Sequence, residues 1–152
     1  MEEMLGSVLE FFQSEDWSYS RLEGQTVIKL VSTAANSRWN CFAQTREEQR
    51  QFIFYSVYPD NVPEERLAAV SEFLTRANFG LIIGNFELDL DDGEIRFKTS
   101  IDLKEASLTS GLLKQLVYPN VVTMGRYIPA IQMVIQGQQS PLEAIEAIEL
   151  RS

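Results

Sequence analysis

The stretch 78–99, NFGLIIGNFELDLDDGEIRFKT, decides how the rest of the chain is interpreted. It predicts the end of a helix, a strand, a tight turn and a second strand. The turn is placed at Asp92-Gly93, because an Asp-Gly pair accepts the positive φ angles that a two-residue type I′ turn requires. A β-hairpin at this place gives the chain a fixed point from which the other elements are assigned.

The charges along the two predicted strands favour one register. Pairing outward from the turn sets hydrophobic residues across from each other on one face and opposite charges across from each other on the other face. The predicted pairs are Leu90–Ile95, Asp89–Arg96, Leu88–Phe97 and Glu87–Lys98. A shift by one residue would bury charge, so the turn and the charges predict the same hairpin.

Hydrophobic periodicity assigns the remaining elements. Alternation and β-branched residues predict strands over 17–22, 26–33, 38–44 and 51–58, of which the first is the weakest. Three- and four-residue spacing predicts helices over 2–15, 63–80, 109–137 and 141–149.

Two local signals refine the last helices. An interior proline costs about 3 kcal/mol, so Pro119 predicts a break or kink near Tyr118. Ser140 and Glu143 form a capping box around Pro141, which predicts the start of the short last helix.

The predicted order is α-β-β-β-β-α-β-β-α-α. Helices and strands do not alternate as they do in parallel βαβ units, and four strands follow one another with short turns. The sequence therefore predicts an α+β fold in which helices flank an antiparallel β-sheet. With 152 residues and 45% hydrophobic content, residues 1–152 are expected to form one domain with a substantial core.

Composition argues against several classes of partner. The chain has 22 acidic and 13 basic residues and a net charge of −9, which disfavours nucleic acid and anionic membrane surfaces. This charge serves either solubility or a preference for basic protein partners. No apolar run is long enough to span a membrane, no signal peptide is visible, and the single cysteine, Cys41, fits a reducing compartment. We therefore expect a cytoplasmic protein.

Residues that commonly carry chemistry are scarce. The chain has no histidine, its one cysteine cannot build a thiolate zinc cluster, and no glycine pattern predicts a phosphate-binding loop. The acidic run 89–93 does not fit a calcium loop, because Leu88 and Leu90 would fall on ligand positions. Cys41, without a histidine to activate it, is interpreted as a packing residue. We expect no enzymatic activity, metal or cofactor.

An excess of aromatic residues on two neighbouring strands is the feature that points to function. Either helices of the same chain cover both faces of the sheet, or these residues form a surface for a partner or a second copy. The candidate partner-binding residues are Trp39, Phe42, Phe52, Phe54, Tyr55 and Tyr58, with an acidic steering rim at Asp89, Asp91, Asp92 and Glu94.

A set of motifs in the second half of the chain carries a resemblance to a known family. These motifs are Asn78, Gly84-Asn85-Phe86, Leu88-Asp89, Asp92-Gly93, Ile95-Arg96-Phe97, Tyr127, Pro129 and Gly137. With them the chain resembles the YbjN family, whose fold is similar to that of type III secretion chaperones. The order of elements matches over about 60–140, and the first 60 residues match in pattern only. The branch that it resembles is that of photosynthetic bacteria and plastids.

The resemblance implies a small cytosolic homodimer that holds other proteins, as a chaperone or an assembly factor does. It supplies no catalytic residues. The leading hypothesis is a non-enzymatic, chaperone-like adaptor that buries a partner segment on an aromatic sheet face or in a helix-flanked groove. The alternative is a regulatory module of the sensory-transduction type, which responds to a small ligand or a partner.

Overall fold

The computed structural model describes residues 3–34 and 36–149. Its helices are α1 Glu3–Ser14, α2 Leu67–Gly80, α3 Ser110–Ile135 and α4 Pro141–Glu149, and a 3-10 turn at Glu64–Arg66 precedes α2. Its strands are β1 Tyr19–Arg21, β2 Val27–Ala34, β3 Ser37–Arg46, β4 Gln51–Val57, β5 Asn85–Leu88 and β6 Ile95–Asp102. The predicted order of elements is confirmed, the weak first strand included. Glu2, where the predicted first helix begins, lies outside the described residues.

The six strands form an antiparallel sheet in the order β1-β2-β3-β4-β6-β5. The first four follow one another as a meander. The chain then passes through α2, forms β5 at the edge of the sheet and returns with β6 between β5 and β4. Helices α1 and α3 contact the central strands, and α4 packs against α2 and α3. The predicted α+β class, with helices beside an antiparallel sheet, is confirmed.

Hydrogen bonds as well as packing fix helix α3 on the sheet. The buried side chain of Asn120 donates from Nδ2 to the backbone oxygens of Phe54 and Phe97, at 3.0 Å each. Thr99 donates from Oγ1 to the backbone oxygen of Leu116 at 2.6 Å. Because buried polar groups are costly without partners, these bonds hold the middle of α3 over β4 and β6.

The hairpin exists, but its predicted register is wrong by two residues. The observed pairs are Leu88–Ile95, Glu87–Arg96, Phe86–Phe97 and Asn85–Lys98. A displacement by two residues keeps every side chain on its own face, so the alternation of the sequence permits both registers. Leu90, which the prediction set opposite Ile95, is 65% exposed.

A loop longer than two residues causes this difference. The Asp89 amide donates to the Glu94 oxygen at 2.9 Å, and the Gly93 amide donates back to the Asp89 oxygen at 2.8 Å. The loop lies against the segment before α2, where the Val62 amide donates to the Gly93 oxygen at 2.8 Å. This contact joins residues about thirty positions apart, and local turn preferences therefore do not predict it.

Of the break or kink predicted near Tyr118, the break is wrong, because α3 runs through Pro119 and Pro129 as one helix of 26 residues, while the kink stays a prediction. Pro119 has no amide hydrogen to donate to the carbonyl of Gln115, a residue on the exposed side of the helix. Buried apolar residues before and after the proline contribute about 1.5–3 kcal/mol each, which offsets a loss of about 3 kcal/mol. Neither α3 nor any other helix within the described ranges is long and apolar enough to cross a membrane.

The capping box of the last helix is confirmed. The Ser140 amide donates to Glu143 Oε1 at 2.8 Å, and the Glu143 amide donates to Ser140 Oγ at 3.1 Å. The two side chains therefore satisfy two of the backbone amides that a helix start leaves without partners.

Gly84 permits a substitution test of the loop before β5. Its φ is +78°, and an added Cβ would lie 2.7 Å from Cε2 of the buried Phe97 ring and 2.9 Å from the Lys98 oxygen. We expect Gly84→Ala to lower the free energy of unfolding by more than about 2 kcal/mol, because the clash adds to a conformational cost of about 1–2 kcal/mol. Urea unfolding measures this change.

Gly24→Ala is the matched control. Gly24 has a φ of +73°, but nothing lies within 4 Å of an added Cβ. The control therefore carries the conformational cost of a positive φ without a clash. Equal losses in the two variants would contradict a close approach at Gly84.

Candidate protein-binding surfaces

The face of the sheet opposite the helices forms the first candidate surface, called the open face below. The register pairs Phe42 with Tyr55, and their side chains lie on this face beside Ile53 and Val57. All four are half-buried, and none of them belongs to the described hydrophobic core or packs against it. An antiparallel sheet commonly leaves one face to solvent, but that face is then usually polar. The open face of this sheet instead carries a central apolar patch.

Four of the six aromatic residues predicted to bind a partner lie elsewhere. Trp39, Phe52, Phe54 and Tyr58 are buried in the core. Alternation along β3 and β4 turns Trp39, Phe52 and Phe54 toward the helices. For these four the prediction of a partner surface is corrected, whereas Phe42 and Tyr55 remain available.

A cation–π contact holds Tyr55 on the open face. The guanidinium carbon of Arg96 lies 4.4 Å from the centre of the Tyr55 ring. Arg96 is the residue of β6 next to Val57 of β4, so its side chain reaches diagonally across the strand pair. The contact gives the open face an aromatic ring with a fixed cation beside it.

A charged cluster extends this arrangement toward β5. Glu87 accepts from Arg96 Nε through Oε1 and from Lys98 Nζ at 2.8 Å through Oε2. Burial raises the pKa of the Glu87 carboxyl, but the hydrogen bonds and charges of Lys98 and Arg96 together outweigh it and lower the pKa below the ordinary 4.5. Glu87 was predicted to pair with Lys98, and it contacts both cations because the true register sets it opposite Arg96.

The four acidic residues of the predicted steering rim lie on the loop between β5 and β6. Asp89 Oδ1 accepts from the Asp91 amide at 2.8 Å, and Asp92 Oδ1 accepts from the Glu94 amide at 2.9 Å. These bonds shape the turn. Asp89 and Glu94 also line a shallow depression with Glu87 and Arg96, at one edge of the open face. The loop therefore gives the open face an acidic border, while its role as a steering rim stays a prediction.

A second candidate surface, which sequence reasoning missed, is the loop at the end of α2. It is called the apolar loop below and comprises residues 79–83, which are the last two residues of α2 and the three that follow them. Phe79 is 95% exposed, Ile82 90% and Ile83 54%, whereas Leu81 packs against the core. The hydrophobic run between Gly80 and Gly84 was the available signal, but hydrophobicity alone does not show which of its side chains are exposed. Its exposure follows from the position of β5, which begins only at Asn85.

The side chain of Asn78 closes the apolar loop. The Phe86 amide donates to Asn78 Oδ1 at 2.7 Å, and Asn78 Nδ2 donates to the Phe86 oxygen at 3.0 Å. One side-chain amide thus satisfies both backbone groups of a residue on the edge strand. This reciprocal pair joins the end of α2 to β5 and holds the ends of the loop together.

Cys41 is fully buried, as its interpretation as a packing residue requires. Burial raises the pKa of its thiol to about 11, against the opposing hydrogen bonds with Ser56 and Trp39. The thiol is therefore protonated at neutral pH, and the thiolate form that reacts as a nucleophile is scarce.

These features define a class of protein first: an α+β chain whose antiparallel sheet has helices on one face and an apolar patch on the other. Within this class, the sequence model of the YbjN family, described as “Putative bacterial sensory transduction regulator”, matches residues 5–133. The chain therefore belongs to the YbjN family, and the resemblance stated from its sequence is confirmed. The match extends into the first 60 residues, where the resemblance rested on pattern alone. No curated protein matches the chain.

One of two similar solved structures supports the same fold. “Crystal structure of YbjN, a putative transcription regulator from E. coli” aligns with a TM-score of 0.61 at 10% identity, over 81% of this chain and 89% of that chain. Such a low identity shows a shared fold alone. “Structure of the HopA1-SchA Chaperone-Effector Complex” aligns over 83% of this chain and 94% of that chain at 14% identity, but its TM-score of 0.49 is too low to establish a shared fold.

The charged cluster on the open face makes stability depend on pH. Because folding lowers the pKa of Glu87, its contribution is fully present above the ordinary pKa of 4.5 and is lost as the pH falls through the folded-state value. The side chains of Arg96 and Glu87 are 40% and 28% exposed, so the contribution is modest, about 0.5–1 kcal/mol. We expect Glu87→Gln to lower the free energy of unfolding by this amount near neutral pH. The difference between the urea midpoints measured at about pH 6 and about pH 3 is then expected to be smaller in the variant than in the wild type.

Glu72→Gln is the control for this test. It removes an exposed pair with Arg76 on α2, which contributes only a few tenths of a kcal/mol by its i,i+4 spacing. If the difference between the two urea midpoints is the same in Glu87→Gln as in the wild type, the cluster does not stabilise the fold.

Proposed function

We propose that this chain is a non-enzymatic, chaperone-like adaptor that holds an extended segment of a partner protein on its open face. The observation that supports this most is the half-buried apolar patch around Phe42 and Tyr55, which no described helix covers. Burial of such a patch is the main source of affinity when proteins associate. Within this proposal, the fold supplies a rigid platform and the partner supplies the missing cover.

The charges around the patch support a partner segment that is apolar in its middle and basic at one end. Tyr55 and Phe42 offer aromatic surface at the centre of the sheet. Asp89 and Glu94 lie at one edge, where Asp89 is exposed and Glu94 half-buried, so their carboxylates are suited to attract Lys or Arg. A basic segment would also approach a chain of net charge −9 faster than a neutral one.

The remaining parts of the proposal concern the domain organisation, the cellular location and the oligomeric state of the protein. We infer that residues 1–152 act as one domain, in the cytoplasm, as a homodimer, which is the state that the family resemblance implies. The description of the family as a regulator of sensory transduction is compatible with an adaptor that delivers or withholds a partner. No metal, cofactor or catalytic residue is part of this function.

Affinity purification of the tagged protein from its native host, with mass spectrometry of the companions, identifies the partner. A basic, near-stoichiometric companion is the expected result. Its dissociation constant with Tyr55→Asp is then expected to rise at least tenfold, because a carboxylate replaces the ring at the centre of the apolar patch. Isothermal titration calorimetry measures this change, and circular dichroism verifies the fold.

Val122→Asp is the matched control. Val122 is 66% exposed on α3, on the side of the molecule away from the open face, so the same charge is added without touching the patch. Equal affinities of the wild type and Tyr55→Asp would contradict binding on the open face. A protein without companions, stabilised only by a small metabolite, would instead support the regulatory alternative.

A further inference from the structure

The apolar loop is unusual because its most hydrophobic side chains point away from the protein. Single exposed hydrophobic residues are common on protein surfaces, but adjacent ones form patches that mark interaction sites. Phe79 and Ile82 are almost fully exposed and lie three positions apart, and Ile83, which follows directly, is 54% exposed. The open face does not include these residues, so they require an explanation of their own.

The structure holds this loop in a defined shape. The amide pair between Asn78 and Phe86 closes its ends, at 2.7 and 3.0 Å. Leu81 packs against the core in the middle of the loop, and Gly84 takes a φ of +78° close to the Phe97 ring. A loop that is already ordered loses little conformational entropy on binding, so its exposed side chains contribute more of their burial energy to affinity.

We propose that the apolar loop is the contact through which two copies of this chain associate, loop against loop across a two-fold axis. This inference rests on the homodimer of the proposed function and names its surface. It is independent of the open face, which stays available to the partner segment in both copies.

Charge is the first reason to choose a second copy as the occupant. Residues 73–86 contain no acidic side chain, although the chain as a whole has a net charge of −9. Arg76 is the only charged residue in this segment, and Glu72 neutralises it at 2.8 Å. Two copies that met through acidic surfaces would repel each other, whereas here an uncharged patch meets itself. An apolar patch is also complementary to its own copy without matching charges.

Area is the second reason. Three large apolar side chains offer on the order of 400 Å² of surface per copy, about half of the roughly 800 Å² that a standard interface buries on each partner. The end of α2 and the start of β5, which flank the loop, are placed to supply the rest. Asn78 already occupies the outward backbone groups of Phe86, so the two copies meet through side chains and do not extend the sheet.

Sedimentation velocity of the full chain at several concentrations tests the inference. We expect a wild-type dimer and a dimer dissociation constant that rises at least tenfold when Phe79→Ser and Ile82→Ser are combined. The exposure of both side chains means that their removal leaves the core intact, which circular dichroism verifies. Leu90→Ser is the matched control, because Leu90 is similarly apolar and exposed but lies on the acidic loop at the other end of β5.

Disulfide cross-linking tests the symmetry of the contact. Ile82→Cys is expected to form a covalent dimer under mild oxidation, because a two-fold axis through the loops brings the two introduced thiols together. Leu90→Cys is expected to remain monomeric on a denaturing gel. The native Cys41 is buried, so it is not expected to form a disulfide in either variant.

The outcomes separate this inference from the proposed function. A dimer that persists in the loop variant would overturn the inference and leave the homodimer standing, while a monomeric wild type would overturn both. Binding of the wild type to phosphatidylcholine vesicles, lost in the loop variant, would assign the loop to a membrane instead. A companion protein lost in the loop variant but retained in Tyr55→Asp would assign the loop to a different partner.

Discussion

Strand β4 lies in the middle of the sheet and divides its side chains between two environments. Phe52, Phe54 and Ser56 enter the core beneath α3, while Ile53, Tyr55 and Val57 stay on the open face. The division is a consequence of strand geometry, since successive side chains point to opposite faces. Everything proposed about partner binding depends on it, because a strand that is apolar on both faces needs cover on both, and the described helices cover one.

The two candidate surfaces differ in their physical character. The open face is broad and mixed, with a cation fixed over an aromatic ring and carboxylates at its border. The apolar loop is small, protruding and uncharged, and an asparagine amide holds it closed. Surfaces of the first kind select a partner by charge and shape, whereas surfaces of the second kind gain most from burial alone. Because the two proposed contacts use different residues, the partner and the second copy do not compete for the same surface.

The errors of sequence reasoning have a common origin in contacts between distant parts of the chain. The register of the hairpin shifted by two because Gly93 docks against Val62 and enlarges the loop. The helix continued through Pro119 because packing on the sheet offsets the lost hydrogen bond. In both cases the local preference exists, but tertiary contacts of similar or greater energy favour a different local structure and outweigh it.

By itself, the sequence determined the order of the elements, the α+β class, the family and the capping box at Ser140. The order, the class and the capping box follow from periodicity, turn chemistry and hydrogen bonds between residues that are close along the chain, and short stretches of sequence are enough to identify such interactions. The family follows from a resemblance of sequence motifs such as Asp92-Gly93. Only the tertiary structure decided which aromatic residues are core, that Phe42 and Tyr55 share an uncovered face, and that Phe79, Ile82 and Ile83 are exposed. The physical reason is that burial is a property of the whole fold: a side chain is exposed or hidden according to which distant element packs against it.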